Sequence, residues 1–150
     1  MHKDHPNFIA ELEAEFGFHN MLGYHLTRWE PGLAEMTLQL GPQHMNRSGV
    51  MHGGLVTTLI DSSFGYAVCY CDVPGHIKRC VTLSLTTSYV GQAGEGEIVR
   101  AIGRVRGGGR RVLSCSGELI NQAGDVLAIG EGVYRYRSGF DRETSAPADF

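Results

Sequence analysis

The chain has 150 residues, of which 42% are hydrophobic and 19% are charged, and its formal net charge is −3. This length and composition predict one domain with a hydrophobic core. The small negative charge leaves no broad basic surface, so nucleic acid is not expected as a partner. No apolar stretch reaches the roughly 20 residues that span a bilayer, and residues 1–6 lack an apolar signal core. We therefore expect a cytoplasmic protein without a membrane segment.

The four cysteines and seven histidines do not predict a metal centre. The cysteines lie inside apolar segments without a CxxC pair, which is typical of buried free thiols rather than of a disulfide framework. The histidines are scattered without ligand spacing. We expect neither a metal nor a cofactor.

A short helical pattern opens the chain. Phe8, Leu12 and Phe16 fall at i, i+4 and i+8, and Gly17 is a helix stop signal. One apolar stripe predicts a helix that packs on a larger body. We treat residues 1–19 as an N-terminal helical extension.

Two strands are predicted next, over residues 23–29 and 34–40, with a tight turn at residues 30–32 between them. The second strand alternates between apolar and polar residues, which is typical of a half-buried strand. These two strands should form a hairpin.

The segment from Gly53 to about Cys71 predicts a long buried helix. It is apolar around most of its circumference and keeps only a narrow polar strip of Thr57, Asp61 and Gly65.

Four further strands follow the helix, and a polar segment without periodicity closes the chain. The strands are expected over residues 81–89, 97–106, 111–120 and 125–137, joined by Gly-rich turns. Short turns join antiparallel neighbours, so the pattern predicts a meander after the helix. Residues 138–150 are expected to be a flexible C-terminal tail.

The element order β-β-α-β-β-β-β predicts an α+β domain over residues 20–137. An antiparallel sheet of about six strands would wrap around one long central helix. One helix covers one sheet face incompletely and leaves the sheet edges open, so association into homodimers, or dimers of dimers, is expected.

Asp61 is the first candidate for catalysis. It lies in the middle of the most apolar helix, where an ionised carboxylate without partners is costly, and its helical neighbours include no cation. The functional interpretation is a general base or a nucleophile. The structural alternative is a carboxylate that bonds a buried hydroxyl or amide.

A polar loop runs from Asn46 directly into the start of the helix. Gly53 and Gly54 lack Cβ atoms, so a ligand can approach the backbone closely. The first amides of a helix have no internal partner and can hold a negative oxygen, as an oxyanion hole does. Asp61 lies about 12 Å along the helix from Gly53. A symmetric dimer with antiparallel helices would bring Asp61 of one chain near Gly53 of the other.

The string Asn46-x-x-Gly49-x-x-His52-Gly53-Gly54, followed by Asp61, resembles the signature of PaaI-like hotdog-fold thioesterases. The predicted element order over residues 20–137 is similar to a hotdog. The resemblance implies that the protein hydrolyses acyl- or aryl-CoA thioesters as a dimer or a dimer of dimers.

By position, the resemblance implies that Asp61 is the base or nucleophile and that the Gly53 amide polarises the thioester carbonyl. It also implies that Asn46 orients substrate or water. A hydroxyl near the carboxylate is implied at Thr82, where similar enzymes often carry Ser.

Each supporting residue has a structural alternative. Asn46 could shape a turn, and Thr82 lies on the polar face of an alternating strand. His52 and Gly54 are expected beside the substrate, with His52 orienting the loop through hydrogen bonds. Phe64 is a candidate for the acyl pocket.

Arg110 and Arg111 follow a Gly-rich turn and could hold the CoA phosphates, while Lys78, Arg79 and Arg47 are weaker candidates. An ordinary solvated hairpin is the alternative for the arginine pair.

The sequence leaves two other functions open. A hotdog hydratase or dehydratase acting on enoyl-CoA would use an Asp and a His, and His52 is the only partner in reach. A non-catalytic acyl-CoA-binding protein would bind without turnover.

Overall fold

The computed structural model describes residues 3–14 and 17–148, so Phe16 of the predicted first helix lies outside the described residues. The helices are α1 (Pro6–Glu13), α2 (Gly17–Leu22) and α3 (Gly53–Val68). The strands are β1 (His25–Glu30), β2 (Leu33–Gln39), β3 (His76–Ile77), β4 (Cys80–Tyr89), β5 (Ile98–Gly108), β6 (Val112–Asn121), β7 (Val126–Tyr136) and β8 (Ala146–Pro147). No helix in these described ranges is long and apolar enough to cross a membrane.

The main sheet has six strands in the order β1-β2-β5-β6-β7-β4, and all neighbours are antiparallel. The α+β architecture and the six-stranded antiparallel sheet around α3 confirm the predicted fold. The predicted meander is wrong in one respect, because β4 pairs with β7 and not with β5. The segment 90–97 between β4 and β5, where the sequence predicts a short Gly-rich turn, therefore crosses the end of the sheet, and its Ala93 carbonyl accepts the Met51 N–H just before α3.

Three glycines allow α3 to lie close against the sheet. Gly103, Gly117 and Gly130 are paired in register across β5, β6 and β7. A methyl group at Gly103 would lie 2.7 Å from the Ser63 backbone, and one at Gly117 would lie 2.8 Å from the ring of Phe64. Any larger residue would push the helix away, so this row fixes the depth of α3 and the position of its polar face.

The segment expected to be a flexible C-terminal tail is bonded to the body over residues 138–148. β8 pairs with β3, and Phe140 packs against the core. Asp141 accepts hydrogen bonds from the backbone N–H groups of Glu143 and Thr144, and it forms an ion pair with Arg110. The pKa of the Asp141 carboxyl is lowered to about 2, chiefly by these backbone hydrogen bonds.

Candidate active site

Asp61 lies on the polar strip of α3, which faces a cleft of about 650 Å³. The strip is half-buried, as are Thr58, Ser62 and Tyr66 on one side of it, while the opposite face of the helix is buried in the core. The cleft is lined by Glu11, Trp29, Asp61, Ser62, Gly65, Tyr66, Cys69, Ile77, Lys78, Arg79, Cys80, Thr82, Tyr134 and Arg137. A small molecule in the cleft can therefore reach the Asp61 carboxylate.

Two hydroxyl groups hold the same oxygen of the Asp61 carboxylate. Thr82 Oγ1 donates to Oδ1 at 2.8 Å, and the phenol of Tyr134 donates to Oδ1 at 2.7 Å. Among the described residues, Oδ2 has no hydrogen-bond partner. One carboxylate oxygen is therefore fixed in place, and the other is left for a ligand, a water molecule or a proton.

Tyr134 is the residue of this cluster that the sequence analysis missed. Burial, followed by its hydrogen bond to the Asp61 carboxylate, raises the pKa of the phenol well above its usual value. Tyr134 therefore stays protonated and can donate its hydroxyl proton to Asp61. A tyrosine on the buried face of a strand needs a partner for its hydroxyl, but only the register of β7 against β4, which pairs Tyr134 with Thr82, shows which partner it has.

A bulge in β4 explains why Thr82 points at Asp61. The pairing of β4 with β7 shifts between Thr82 and Ser84, and a bulge re-aims the side chains around it. Thr82 therefore reaches α3, as do Thr87 and Tyr89 beyond the bulge. A strict alternation along the strand would have placed Thr82 on the face opposite to that of Thr87 and Tyr89.

The start of α3 leaves one backbone amide free. His52 is the N-cap residue, and its Nδ1 accepts the Gly54 N–H at 2.9 Å. The Gly53 N–H has no acceptor among the described residues. Tyr89 donates to the Gly53 carbonyl at 3.1 Å and ties this end of the helix to β4. His52 and Gly54 thus bond to each other, and the amide with an open position is that of Gly53.

Asn46 closes the loop that precedes the helix. Its Oδ1 accepts the backbone N–H groups of Ser48 at 2.8 Å and of Val50 at 3.3 Å. Its backbone also bonds Val50 and Gly49. This geometry corresponds to the turn-shaping alternative. The side-chain amide nitrogen makes no hydrogen bond within the described residues, so Asn46 can shape the loop and still donate to a ligand.

Of the site residues predicted from the sequence, Asp61 and Thr82 line this cleft, whereas His52 and Gly54 line a separate cavity of about 350 Å³. Phe64 has 0% exposure and packs against the row of glycines under α3, so its ring belongs to the core. Arg110 and Arg111 lie at the β5–β6 turn, where Arg110 forms an ion pair with Asp141 at 2.8 Å. Phe64, Arg110 and Arg111 do not line the cleft, whereas Lys78, Arg79 and Arg137 do.

An antiparallel six-stranded sheet wrapped around one long helix defines a hotdog-fold protein. The thioesterase superfamily model matches residues 48–128. That match spans more than half of the chain, so the chain belongs to the thioesterase superfamily.

Individual relatives agree with this assignment. A Pseudomonas aeruginosa protein provisionally named an esterase is 30% identical over 99 residues, 66% of this chain and 72% of that one. A mutant of the phenylacetic acid degradation protein PaaI from Thermus thermophilus is 26% identical, with a TM-score of 0.71 over 81% of this chain and 99% of that one. A Streptococcus mutans protein solved with acetyl CoA shares the fold at 20% identity, with a TM-score of 0.67 over 76% of this chain and 88% of that one. The resemblance to PaaI-like proteins is confirmed.

Proposed function

We propose that the protein is an acyl-CoA thioesterase that releases a free acid and CoA. The observation that carries this proposal is the asymmetric Asp61 carboxylate, whose Oδ1 is held by Thr82 and Tyr134 while Oδ2 is unengaged in an open cleft. A carboxylate oriented in this way can take a proton or attack a carbonyl without first having to be ordered. The Streptococcus mutans protein bound to acetyl CoA supports the choice of a CoA ester.

In the proposed reaction, the thioester carbonyl oxygen accepts a hydrogen bond from the Gly53 amide at the start of α3. Asp61 Oδ2 takes a proton from water while the water oxygen bonds to the carbonyl carbon, and negative charge collects on the oxygen at Gly53. The tetrahedral intermediate collapses, the C–S bond breaks, and the CoA thiolate leaves with the proton that Asp61 holds. In the second route, Oδ2 attacks the carbonyl carbon itself, the C–S bond breaks and CoA leaves as the thiolate, and water then cleaves the resulting mixed anhydride to the free acid and the Asp61 carboxylate.

Either route needs two chains. Within one chain, Asp61 is about 12 Å from Gly53 along the helix, too far for both to reach one carbonyl group. A two-fold dimer with antiparallel copies of α3 would place each Asp61 near the partner copy of Gly53. The exposed edge strand β4 supports this assembly, because Leu83 is 51% exposed and Val81 is 37% exposed. An open edge with apolar side chains is a surface that proteins normally cover.

The cationic side chains in the cleft give the CoA phosphates a place to bind. Lys78, Arg79 and Arg137 come from the segment before β4 and from the end of β7. Arg137 has no ion-pair partner among the described residues. These three side chains replace Arg110 and Arg111 as the proposed phosphate ligands, because the arginine pair lies outside the cleft and Arg110 is neutralised by Asp141.

The test is the Asp61→Asn variant, which keeps the shape of the side chain and removes its basic charge. The release of CoA from a panel of short, medium and aryl acyl-CoAs should fall by roughly 10² to 10⁴. The matched control is Asp72→Asn, an exposed aspartate in the loop after α3 that should retain normal turnover. Near-normal hydrolysis by Asp61→Asn, or hydration of an enoyl-CoA without release of CoA by the unmodified protein, would contradict the proposal. A single turnover in ¹⁸O-water separates the two routes, because label in the Asp61 carboxylate identifies the anhydride.

A further inference from the structure

The four cysteines divide into two pairs by their access to the cleft. Cys69 and Cys80 are half-buried free thiols that line it, whereas Cys71 and Cys115 are each only 3% exposed and do not line it. A reagent in the cleft can therefore reach the first two thiols and not the other two. The proposed hydrolysis uses none of them.

Cys69 and Cys80 lie beside each other although they belong to different elements. Cys69 is the C-cap residue of α3, and its N–H donates to the Gly65 carbonyl at 2.9 Å. Cys80 is the first residue of β4, and its Sγ lies 3.9 Å from the same carbonyl oxygen. The two thiols thus meet beside one backbone group. Both residues are at the ends of their elements, where the backbone can adjust to bring the sulfurs within bonding distance.

The contact makes the two thiols chemically different. A hydrogen bond from the Cys69 thiol lowers the pKa of the Cys80 thiol, against the opposing effects of burial and of the Asp61 charge. The same hydrogen bond, followed by burial, raises the pKa of the Cys69 thiol. Because the thiolate is the reactive form of cysteine, Cys80 is the nucleophile of the pair and Cys69 is the thiol that resolves it. Burial raises the pKa of the Cys115 thiol to about 12, which makes that thiol inert.

We propose that Cys69 and Cys80 are a dithiol site that hydroperoxides oxidise reversibly to a disulfide. The Cys80 thiolate attacks one oxygen of the hydroperoxide, the S–O bond forms and the O–O bond breaks, and the leaving alkoxide takes up the proton that Cys80 had released. The Cys69 sulfur then attacks the sulfur of the Cys80 sulfenic acid, the S–S bond forms and the S–O bond breaks, and the departing hydroxide takes the Cys69 proton and leaves as water. Two thiols are oxidised, and one hydroperoxide is reduced to an alcohol, or to water in the case of hydrogen peroxide.

The position of the site gives the disulfide a structural consequence. The bond would join the end of α3 to the start of β4 and close the loop between them. Lys78 and Arg79 of this loop line the cleft, and Cys80 is two residues from Thr82, which holds Asp61. Oxidation would therefore fix the wall of the cleft beside the Asp61 carboxylate. The oxidation itself does not depend on the proposed hydrolysis, so its test follows thiols and not turnover.

The test treats the fully reduced chain with hydrogen peroxide, blocks the remaining thiols with N-ethylmaleimide in denaturant and maps the peptides without reduction. We expect a disulfide between Cys69 and Cys80 of one chain, with Cys71 and Cys115 labelled, and dithiothreitol should restore all four thiols. Cys80→Ser should lower the rate of thiol loss at least about tenfold, because it removes the reactive thiolate. Cys69→Ser should let the Cys80 sulfenic acid accumulate, and dimedone should trap it. Cys71→Ala, two residues beyond Cys69, is the matched control and should form the disulfide at the unmodified rate.

Three results would overturn the inference. They are oxidation of Cys71 or Cys115 as fast as that of Cys80, a disulfide between two chains, and no loss of thiols at peroxide concentrations that oxidise free cysteine. All three are measured on the unmodified protein, so they stand even where a variant does not fold. Hydrolysis of acyl-CoA by a protein that forms no disulfide would reject the dithiol site and keep the proposed function, and the opposite pair of results would keep the dithiol site alone.

Discussion

The phenol oxygen of Tyr134 on β7 lies 2.7 Å from Asp61 Oδ1 on α3 and donates a hydrogen bond to it. Thr82, which is paired with Tyr134 across β4 and β7, donates to the same oxygen. The sheet therefore orients the carboxylate that the helix carries. Under the proposed function, Tyr134 is a positioning residue, because it would act on the reaction through Asp61.

Tyr134→Phe tests this positioning role. The ring is 1% exposed and packs edge-on against Phe64 at 6.0 Å, so phenylalanine preserves the core and removes only the hydroxyl. We expect kcat to fall about tenfold or more, since a hydrogen bond to a charged group contributes about 1.5–3 kcal/mol, while KM changes little. Steady-state kinetics on an acyl-CoA measure both constants.

The control for Tyr134→Phe is Tyr136→Phe, two residues further along the same strand. Tyr136 is also buried, and its hydroxyl donates to the Val68 carbonyl at 2.7 Å rather than to Asp61. It should lose stability without losing kcat. Equal kcat values for both variants would rule out a positioning role for Tyr134.

Gly53→Pro tests the amide at the start of α3. Proline is tolerated at the first position of a helix, and the preceding residue, His52, has the extended backbone that proline requires. The substitution removes the N–H and should lower kcat by about 10²–10³, as for the loss of an oxyanion-hole donor. Gly53→Ala adds the same Cβ, which would lie 3.3 Å from Tyr89, but keeps the N–H and should remain active.

The shared site can be tested by mixing two inactive variants. In a heterodimer of Asp61→Asn and Gly53→Pro, one site is intact and the other lacks both groups. Unfolding and refolding an equal mixture should therefore restore about a quarter of the unmodified activity, because half of the dimers are mixed and each has one working site. No recovery, with dimers present in sedimentation, would contradict the two-chain site.

Gly130→Ala tests the row of glycines beneath α3. The new methyl group would lie 2.5 Å from Ile60, which is fully buried, so the core is overpacked. We expect a loss of about 1–3 kcal/mol in the free energy of unfolding, measured by denaturant titration. Gly107→Ala, where nothing lies within 4 Å, is the control and should change stability by no more than about 0.5 kcal/mol. Equal effects of the two substitutions would refute the close approach.

The raised pKa of Glu11 predicts how stability depends on pH. A folded carboxyl with a raised pKa binds more protons than the unfolded one at pH values above the usual glutamate pKa of 4.5, so stability falls as the pH rises through its folded pKa. Glu11→Gln removes this dependence and should stabilise the protein at neutral pH but not below the usual glutamate pKa. Unfolding free energies at pH 4 and pH 7 measure the difference, and Glu13→Gln, at an exposed position, should show none. A stabilising effect of equal size at both pH values would contradict the assignment.

The sequence by itself determined the secondary-structure elements and singled out Asp61 as a candidate. Strand periodicity, Gly-rich turns and the buried helical pattern are local signals, and they predicted the six main strands and α3. Asp61 stood out because burying a carboxylate in an apolar helix costs free energy, and both the carboxylate and the apolar pattern can be recognised in the sequence. The fold class followed from the order of these elements.

Only the tertiary structure decided what surrounds Asp61. The bulge that turns Thr82 toward the helix, the pairing of β4 with β7 and the donor Tyr134 all depend on strand register, and a shift by one residue would move each side chain to the other face. Glu11 and Asp61 are fifty residues apart in the chain and line one cleft because the buried Phe8 and the hydrogen bonds of Asn7 hold α1 against the segment after α3 and the core. Such contacts join distant segments through specific hydrogen bonds, so no local pattern in the sequence records them.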